Sequence, residues 1–471
     1  MEAKLKQSDY LQIIPRAKGG YVVYHSLYGN LKQINQNILE LLNKFKNPIS
    51  PAILFREQSG NGIGKTINEL TKLHYLVPLG DDERTFFNEK LAQRENKLTT
   101  GYYIGALQLS IAESCNFNCK YCFADWSDNG SKRRLELKNY TEKLMSFEMA
   151  SKTIQTVIDV LKANGKKRLI IKFFGREPLI NWRVIKRVME HFGNGEEHGL
   201  YIRWDMTTNG SLITEECAQL FSKYKGKVYI SIDGLAETND VNRITTKGEN
   251  TFKAIEKGID LMLKHGVEVF TSSVISSLNF DHFDNRMTDY TKSKGIKTLI
   301  LLLAFGNEYL MNQRTHTTEE IVNKFYSLYR YAVDQRMNIA GYWHNPLRRL
   351  LFSKSYQISP WDAVNEDHNS CPGTGMLLAV EPSGDIFPCR AMSLHLGHID
   401  EFDKMLKSDV YRSLVMRTYM NVNHCRGCAL EGVCQGECLG HSEYKFNDIY
   451  QPDERFCEIY RGITRKILSE S

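Results

Sequence analysis

Apolar positions change period several times along the first ninety residues. Tyr10–Pro15 and Tyr21–Ser26 read as strands on either side of a Gly19-Gly20 turn. Ile34, Ile38, Leu41, Leu42 and Phe45 then recur at helical spacing. After a Pro48/Pro51 break, a further stripe runs through Ile63, Ile67, Leu70 and Leu73, and Tyr75-Leu76-Val77 closes the segment as a short strand. The pattern predicts a separate unit over 1–88, with paired strands on three helices, close to a winged helix-turn-helix. GNGIGKT at 60–66 looks like a phosphate loop, but only three residues separate Gly60 from Gly64 where four are needed. A helix start is the better reading.

The polar stretch Gly80–Thr100 reads as a linker. Strand-like runs then alternate with amphipathic helical ones, at Ala106–Ala112, Arg168–Phe174, Tyr201–Thr208, Lys227–Asp233, Val267–Ile275 and Lys297–Ala304. Phe147–Leu161 and Thr251–His265 are two of the helices between them. Six such repeats over 100–310 predict an α/β fold, a parallel sheet curved into a partial (β/α)6 TIM-like barrel whose site lies at the carboxyl ends of the strands. A bridging region follows at 311–365, and an irregular cysteine-rich segment occupies 366–471.

Charge alters this picture little. Sixty-one basic and fifty-five acidic residues leave +6 over 471 residues, with no long basic block, so nucleic acid is not an expected partner. The first fifteen residues lack the apolar core of a signal peptide, and the longest apolar run, Leu299–Phe305, is too short to span a bilayer. A cytoplasmic protein without a membrane partner is expected. In that reducing compartment, eleven cysteines point to metal ligands before disulfides. Three form one tight group, seven lie in the last hundred or so residues, and Cys217 sits alone on an apolar helical stripe as a core thiol.

Cys115, Cys119 and Cys122 directly follow the first barrel strand. Their C-x3-C-x2-C spacing lets one loop wrap a compact metal centre with three thiolates, leaving one iron of a four-iron cluster open. A closed zinc site wants a fourth ligand, which would have to come from afar. This motif at a strand end resembles that of the radical S-adenosylmethionine superfamily. The resemblance implies that the open iron is chelated by S-adenosylmethionine, whose reductive cleavage gives a 5′-deoxyadenosyl radical. Phe173-Phe174-Gly175-Arg176-Glu177-Pro178 is similar to the family's GGEP motif, with Arg176 at its second glycine. By resemblance Gly175 and Glu177 engage the cofactor's amino group, Asn209 and Ser231 its ribose or carboxylate, Arg243 its carboxylate and Tyr121 its adenine. Ordinary turn, surface or core roles are the alternatives for these side chains.

The C-terminal cysteines run Cys371-x12-Gly384-x4-Cys389, then Cys425-x2-Cys428-x5-Cys434-x3-Cys438, and Cys457 eighteen residues on. These spacings resemble the SPASM extension of radical S-adenosylmethionine peptide-modifying enzymes. The resemblance implies two auxiliary four-iron clusters, for three [4Fe-4S] clusters in all. Cys425, Cys428, Cys434 and Cys457 would close one, and Cys371, Cys389 and Cys438 would hold the other. Seven thiolates cannot fill eight positions, so one iron is open or takes a non-cysteine ligand. A double zinc site is the structural alternative.

The unit at 1–88 resembles the RiPP recognition element, which takes the leader of a precursor peptide as an added strand. Its helix at 63–74 offers only Lys65 and Lys72 as strong cations, against a DNA-binding role. Together these resemblances imply a maturase of a ribosomally made precursor peptide, with a flavodoxin or ferredoxin as electron donor. The leading expectation is hydrogen abstraction followed by a Cys thioether cross-link. Carbon–carbon or carbon–oxygen linkage, epimerisation, and a sulfatase-maturating type of oxidation are the alternatives within enzymes. A non-catalytic zinc-stabilised peptide-binding protein is the alternative outside them.

Overall fold

The computed structural model describes residues 4–57, 61–122, 144–304, 315–352, 371–434 and 436–470. Near the N-terminus, β1 (Leu5–Gln7), β2 (Leu11–Pro15), β3 (Tyr21–His25) and β4 (Gly29–Ile34) precede helices at Gln36–Lys44, Pro51–Glu57 and Asn61–Lys72, and β5 (Leu76–Pro78) follows. The second, third and fourth strands form an antiparallel sheet, while β5 returns to pair with β1. A side chain at Gly20 (φ +75°) would sit 2.9 Å from the carbonyl oxygen of Ile34, so only glycine closes this turn against the end of the fourth strand. Val23, Leu41, Leu42, Phe45, Leu54, Ile67, Leu70 and Tyr75 form the core of the unit. The sequence reading missed β1 and β4. β4 is largely polar, and Ile34, read as the start of a helical stripe, is its last residue. Asn35 then caps the helix, accepting from Ile38 N at 3.0 Å.

The stretch expected to be a linker is instead helical over Thr85–Leu98. Its polar composition hides a packed role. Arg94 is 2% exposed, donates to the carbonyls of Val415 (2.6 Å) and Thr374 (3.1 Å), and lies over the ring of Tyr103. A long cation can bury its stem in this way where its head finds carbonyls.

The central sheet carries the expected six strands in parallel: β6 (Ala106–Ala112), β7 (Arg168–Gly175), β8 (Tyr201–Thr208), β9 (Lys227–Ser231), β10 (Glu268–Ile275) and β11 (Thr298–Leu303). The chain is an α/β protein built on this partial barrel. The bridging region adds β12 (Asn338–Ala340) parallel to β11. On the far side β13 (Leu377–Val380) runs parallel to β6, and β14 (Asp385–Phe387) and β15 (Gly397–His398) extend it antiparallel, giving ten strands among the described residues. Alternation sorts the faces. Leu169, Ile171, Phe173, Ile202, Trp204 and Met206 are fully buried, whereas the intervening Lys172, Arg203, Tyr229 and Phe270 are half-buried. Among the described residues no helix is long and apolar enough to cross a membrane.

The N-terminal unit is seated on the cysteine-rich end. Leu27 and Tyr28 pack with Tyr419, Val422 and Cys425, and Arg84 pairs with the buried Glu431. Gly432 N donates to Ser26 O at 2.9 Å, and a Cβ on Gly432 would lie 2.1 Å from Leu27 O. Gly432→Val should therefore cost about 2–3 kcal/mol, from overpacking against backbone that cannot yield. The midpoint of urea unfolding measures this. Removal of 1–88 would uncover the same apolar contacts, so such a truncation tests more than peptide binding.

Candidate functional site

At the carboxyl end of β6 the chain turns through Glu113 and Ser114 into the three-cysteine loop. The loop is pinned to residues 242–246. Asn118 N donates to Ile244 O (2.8 Å), Lys120 N to Asn242 O (3.0 Å), and Thr246 N to Asn116 O (3.1 Å). Cys115 accepts from Phe117 N at 3.3 Å and from Asn209 Nδ2 at 3.8 Å, while Arg243 Nη1 donates to Cys119 at 3.8 Å. Burial pushes the Cys119 thiol up to about 12, against the pull of Arg243. A bound cation would reverse that preference by stabilising the thiolate.

The neighbouring strand ends close round this loop. Gly175 (φ +127°) lies so near β6 that a Cβ would meet Ala112 O at 2.3 Å. Arg176, at the position where glycine was expected, has no positive φ, and its N–H donates to Ala112 O at 2.9 Å. Arginine is accommodated there without backbone strain. Glu177 is fully buried. It accepts from Leu179 N (3.0 Å), Thr208 Oγ1 (2.7 Å) and Asn209 N (2.8 Å), thereby tying the end of β7 to the loop after β8.

Burial pushes the Glu177 carboxyl up to about 7, against those three donors. A carboxyl raised from its ordinary 4.5 favours folding while protonated, and that contribution is lost as pH rises through about 7. In metal-free protein, the stability margin of wild type over Glu177→Gln should shrink between pH 5 and pH 8. Urea midpoints at the two pH values measure it.

Asn209 Nδ2 bonds Asn116 Oδ1 at 2.9 Å, Ser231 ends β9 half-buried, and Arg243 caps the helix Ala236–Asn242. All six residues expected around the cofactor therefore sit in the cysteine loop, at the strand ends or on the segments packed against that loop. The sequence reading missed Asp233, fully buried, which pairs with Arg243 and accepts from Tyr121. Its place two residues after Ser231 was the available signal. It also missed Arg390, whose Nη2 lies 2.6 Å from Glu113 and Nη1 3.7 Å from Glu381, all three side chains at most 6% exposed. Arg390 follows Cys389 directly, so this network joins the entrance of the first cysteine loop to the cysteine-rich end.

The C-terminal thiols gather into two groups. Burial raises the Cys438 thiol, and the neighbouring Cys371 and Cys389 raise it further. Cys434 acts likewise on Cys425 and Cys457, and Cys428 on Cys425 and Cys434. Arg417, 1% exposed, lies near Cys371 and Cys425 and donates to Ile449 O (2.9 Å) and Gly436 O (2.7 Å). Two residues off the cysteine pattern join them. Glu437 is buried beside Cys438 and pushed up to about 8 by burial, and Tyr342, although 41% exposed as a residue, brings its hydroxyl close to the three-thiol group. Every cysteine is free. Adjacent unoxidised thiols with N–H donors on sulfur are a donor set that fits iron–sulfur centres. At the surface His424, Glu454 and Cys457 bring ligand atoms within 4.8 Å of one another, a set open to a single divalent ion.

The sequence pattern of the radical SAM superfamily matches residues 109–289. The radical SAM cyclopropyl synthase TigE of Paramaledivibacter caminithermalis is 30% identical over 469 residues, 99% of this chain and 96% of that protein. A cysteine-type anaerobic sulfatase-maturating enzyme of Clostridium perfringens is 25% identical over 365 residues, 74% of this chain and 92% of its own. Among solved structures, anSMEcpe with bound AdoMet and Cp18Cys peptide superposes with a TM-score of 0.60 at 22% identity, over 76% of this chain and 95% of that one. Streptococcus suis SuiB bound to precursor peptide SuiA gives 0.53 at 16% identity, over 96% and 99%. At these identities the two structures bear on fold alone.

Proposed function

The chain belongs to the radical S-adenosylmethionine superfamily, and from that premise we propose that it is a peptide maturase that closes a carbon–carbon bond in a ribosomally made precursor. The full-length likeness to a cyclopropyl synthase carries this reading, because it spans the N-terminal unit and the cysteine-rich end as well as the barrel. When bound, a four-iron cluster and S-adenosylmethionine supply a 5′-deoxyadenosyl radical able to remove a hydrogen atom from an unactivated carbon.

The chain's own residues define the place for that chemistry. Cys115, Cys119 and Cys122 would hold the cluster. Gly175 permits the close approach of β7 to β6, and Glu177 fixes the Asn209 loop. Arg243, Asn209, Ser231 and Tyr121 would orient the cofactor. The seven C-terminal thiols would hold two auxiliary clusters as electron acceptors, and the unit at 1–88 would grip the leader, raising the local concentration of the core peptide. A flavodoxin or ferredoxin would serve as reductant in the cytoplasm.

One observation favours a second reading, the Cys thioether. The group of Cys371, Cys389 and Cys438 offers one thiolate fewer than a four-iron cluster has irons, leaving a position for a peptide sulfur. Either product loses two hydrogens, one as the abstracted atom and one as a proton with its electron. Mass spectrometry of the coexpressed precursor, with and without iodoacetamide, separates the two. Carbon–carbon closure leaves every peptide cysteine alkylable, whereas a thioether protects one per cross-link. An unchanged mass would contradict both.

A further inference from the structure

Tyr121, Asp233 and Arg243 come from three segments and meet in one buried knot beside Cys119. Asp233 is fully buried at the end of β9. Its Oδ1 accepts from Val274 N at 2.9 Å and from Arg243 Nη2 at 3.2 Å; Oδ2 lies 3.0 Å from Arg243 Nε and accepts from the Tyr121 hydroxyl. The aspartate's own N–H donates to Asn239 Oδ1 at 3.1 Å, which fixes the carboxylate from behind. Arginine has a long, rotamer-rich side chain, and a buried carboxylate that both accepts from it and neutralises its charge restricts where the guanidinium can sit. Nη2 donates to Asp233, Nε lies against the same carboxylate at ion-pair distance without a hydrogen bond of its own, and Nη1 donates to Cys119, with the guanidinium 5.5 Å from the Tyr121 ring centroid.

We propose that Asp233 is a positioning residue of the S-adenosylmethionine site, a buried anion that sets both the guanidinium of Arg243 and the ring of Tyr121 beside the three-cysteine loop. The proposal rests on the reading that Arg243 and Tyr121 meet the cofactor. It adds that their geometry is set by a side chain that acts through them. Buried without Asp233, Arg243 would carry an uncompensated charge and turn toward another acceptor.

Anaerobically reconstituted Asp233→Asn, Asp233→Glu, Tyr121→Phe and Arg243→Gln test it. The readouts are iron per chain, the dissociation constant for S-adenosylmethionine by equilibrium dialysis, and the change in the reduced-cluster EPR signal on adding S-adenosylmethionine. Asp233→Asn should keep wild-type iron, bind S-adenosylmethionine at least about tenfold more weakly and lose the EPR change. Asp233→Glu should recover most of the affinity, and Tyr121→Phe, which removes a donor but no charge, should lose a few fold. Wild-type affinity in Asp233→Asn would overturn the proposal, as would iron lost from the three-cysteine loop in that variant. If Asp233→Asn gives no folded protein, wild-type affinity in Tyr121→Phe overturns it instead. Unchanged binding in Arg243→Gln would strike the underlying cofactor reading, whereas weak binding there beside normal binding in Asp233→Asn would strike the Asp233 proposal alone.

Discussion

Cys119→Ala is expected to reduce formation of 5′-deoxyadenosine from S-adenosylmethionine to background. The loop supplies three sulfurs, and the described residues around it offer nitrogen donors rather than a replacement thiolate: Asn209 Nδ2 at Cys115 and Arg243 Nη1 at Cys119. Two thiolates would leave two irons without protein ligands, so the cluster would not survive turnover. The seven C-terminal cysteines lie outside the damage. With three four-iron clusters, iron should fall by about a third, from about twelve per chain, rather than to zero. Liquid chromatography of the nucleoside product and iron analysis on the same sample check both parts.

Arg390→Met should have the largest effect on stability. It leaves Glu113 and Glu381 buried, with side chains 3% and 2% exposed, and removes the cation that lies between them. Breaking a buried charge network by deleting one partner costs about 3–5 kcal/mol, because the remaining charges stay desolvated. The backbone N–H of Arg390, which donates to Gln108 Oε1 at 3.0 Å, survives the change, so the loss is one of charge rather than of chain path. Glu113 stands two residues before Cys115 and Arg390 one after Cys389. The variant should therefore loosen the first cysteine loop and the three-thiol group together. Urea unfolding of the metal-free protein and iron content after reconstitution report the two consequences.

The barrel was legible because short strand-like apolar runs, most of them alternating between buried and half-buried positions, are separated by amphipathic helical stretches, a pattern that survives without any tertiary knowledge. Its ends agree with the chain to within two residues at Lys227–Ser231 and one at Thr298–Leu303. The cysteine groups were legible from spacing. What escaped was structure whose reason lies across the chain. The helix Thr85–Leu98 reads as polar because Arg94 finds its acceptors at Thr374 and Val415, nearly three hundred residues away or more. β12 and β13 are three and four residues long, too short to show a period, and are strands because β11 and β6 offer them edges. Asp233, Arg390 and Tyr342 gained their places beside the thiols by folding. Only the first two had a neighbour in sequence to hint at it.

Protein purified without air, reduced with dithionite and given S-adenosylmethionine should release 5′-deoxyadenosine and methionine, with iron and acid-labile sulfide present in equal amounts. A chain that carried zinc in place of iron, or held its full iron and still left S-adenosylmethionine intact, would contradict a radical-generating site at Cys115, Cys119 and Cys122.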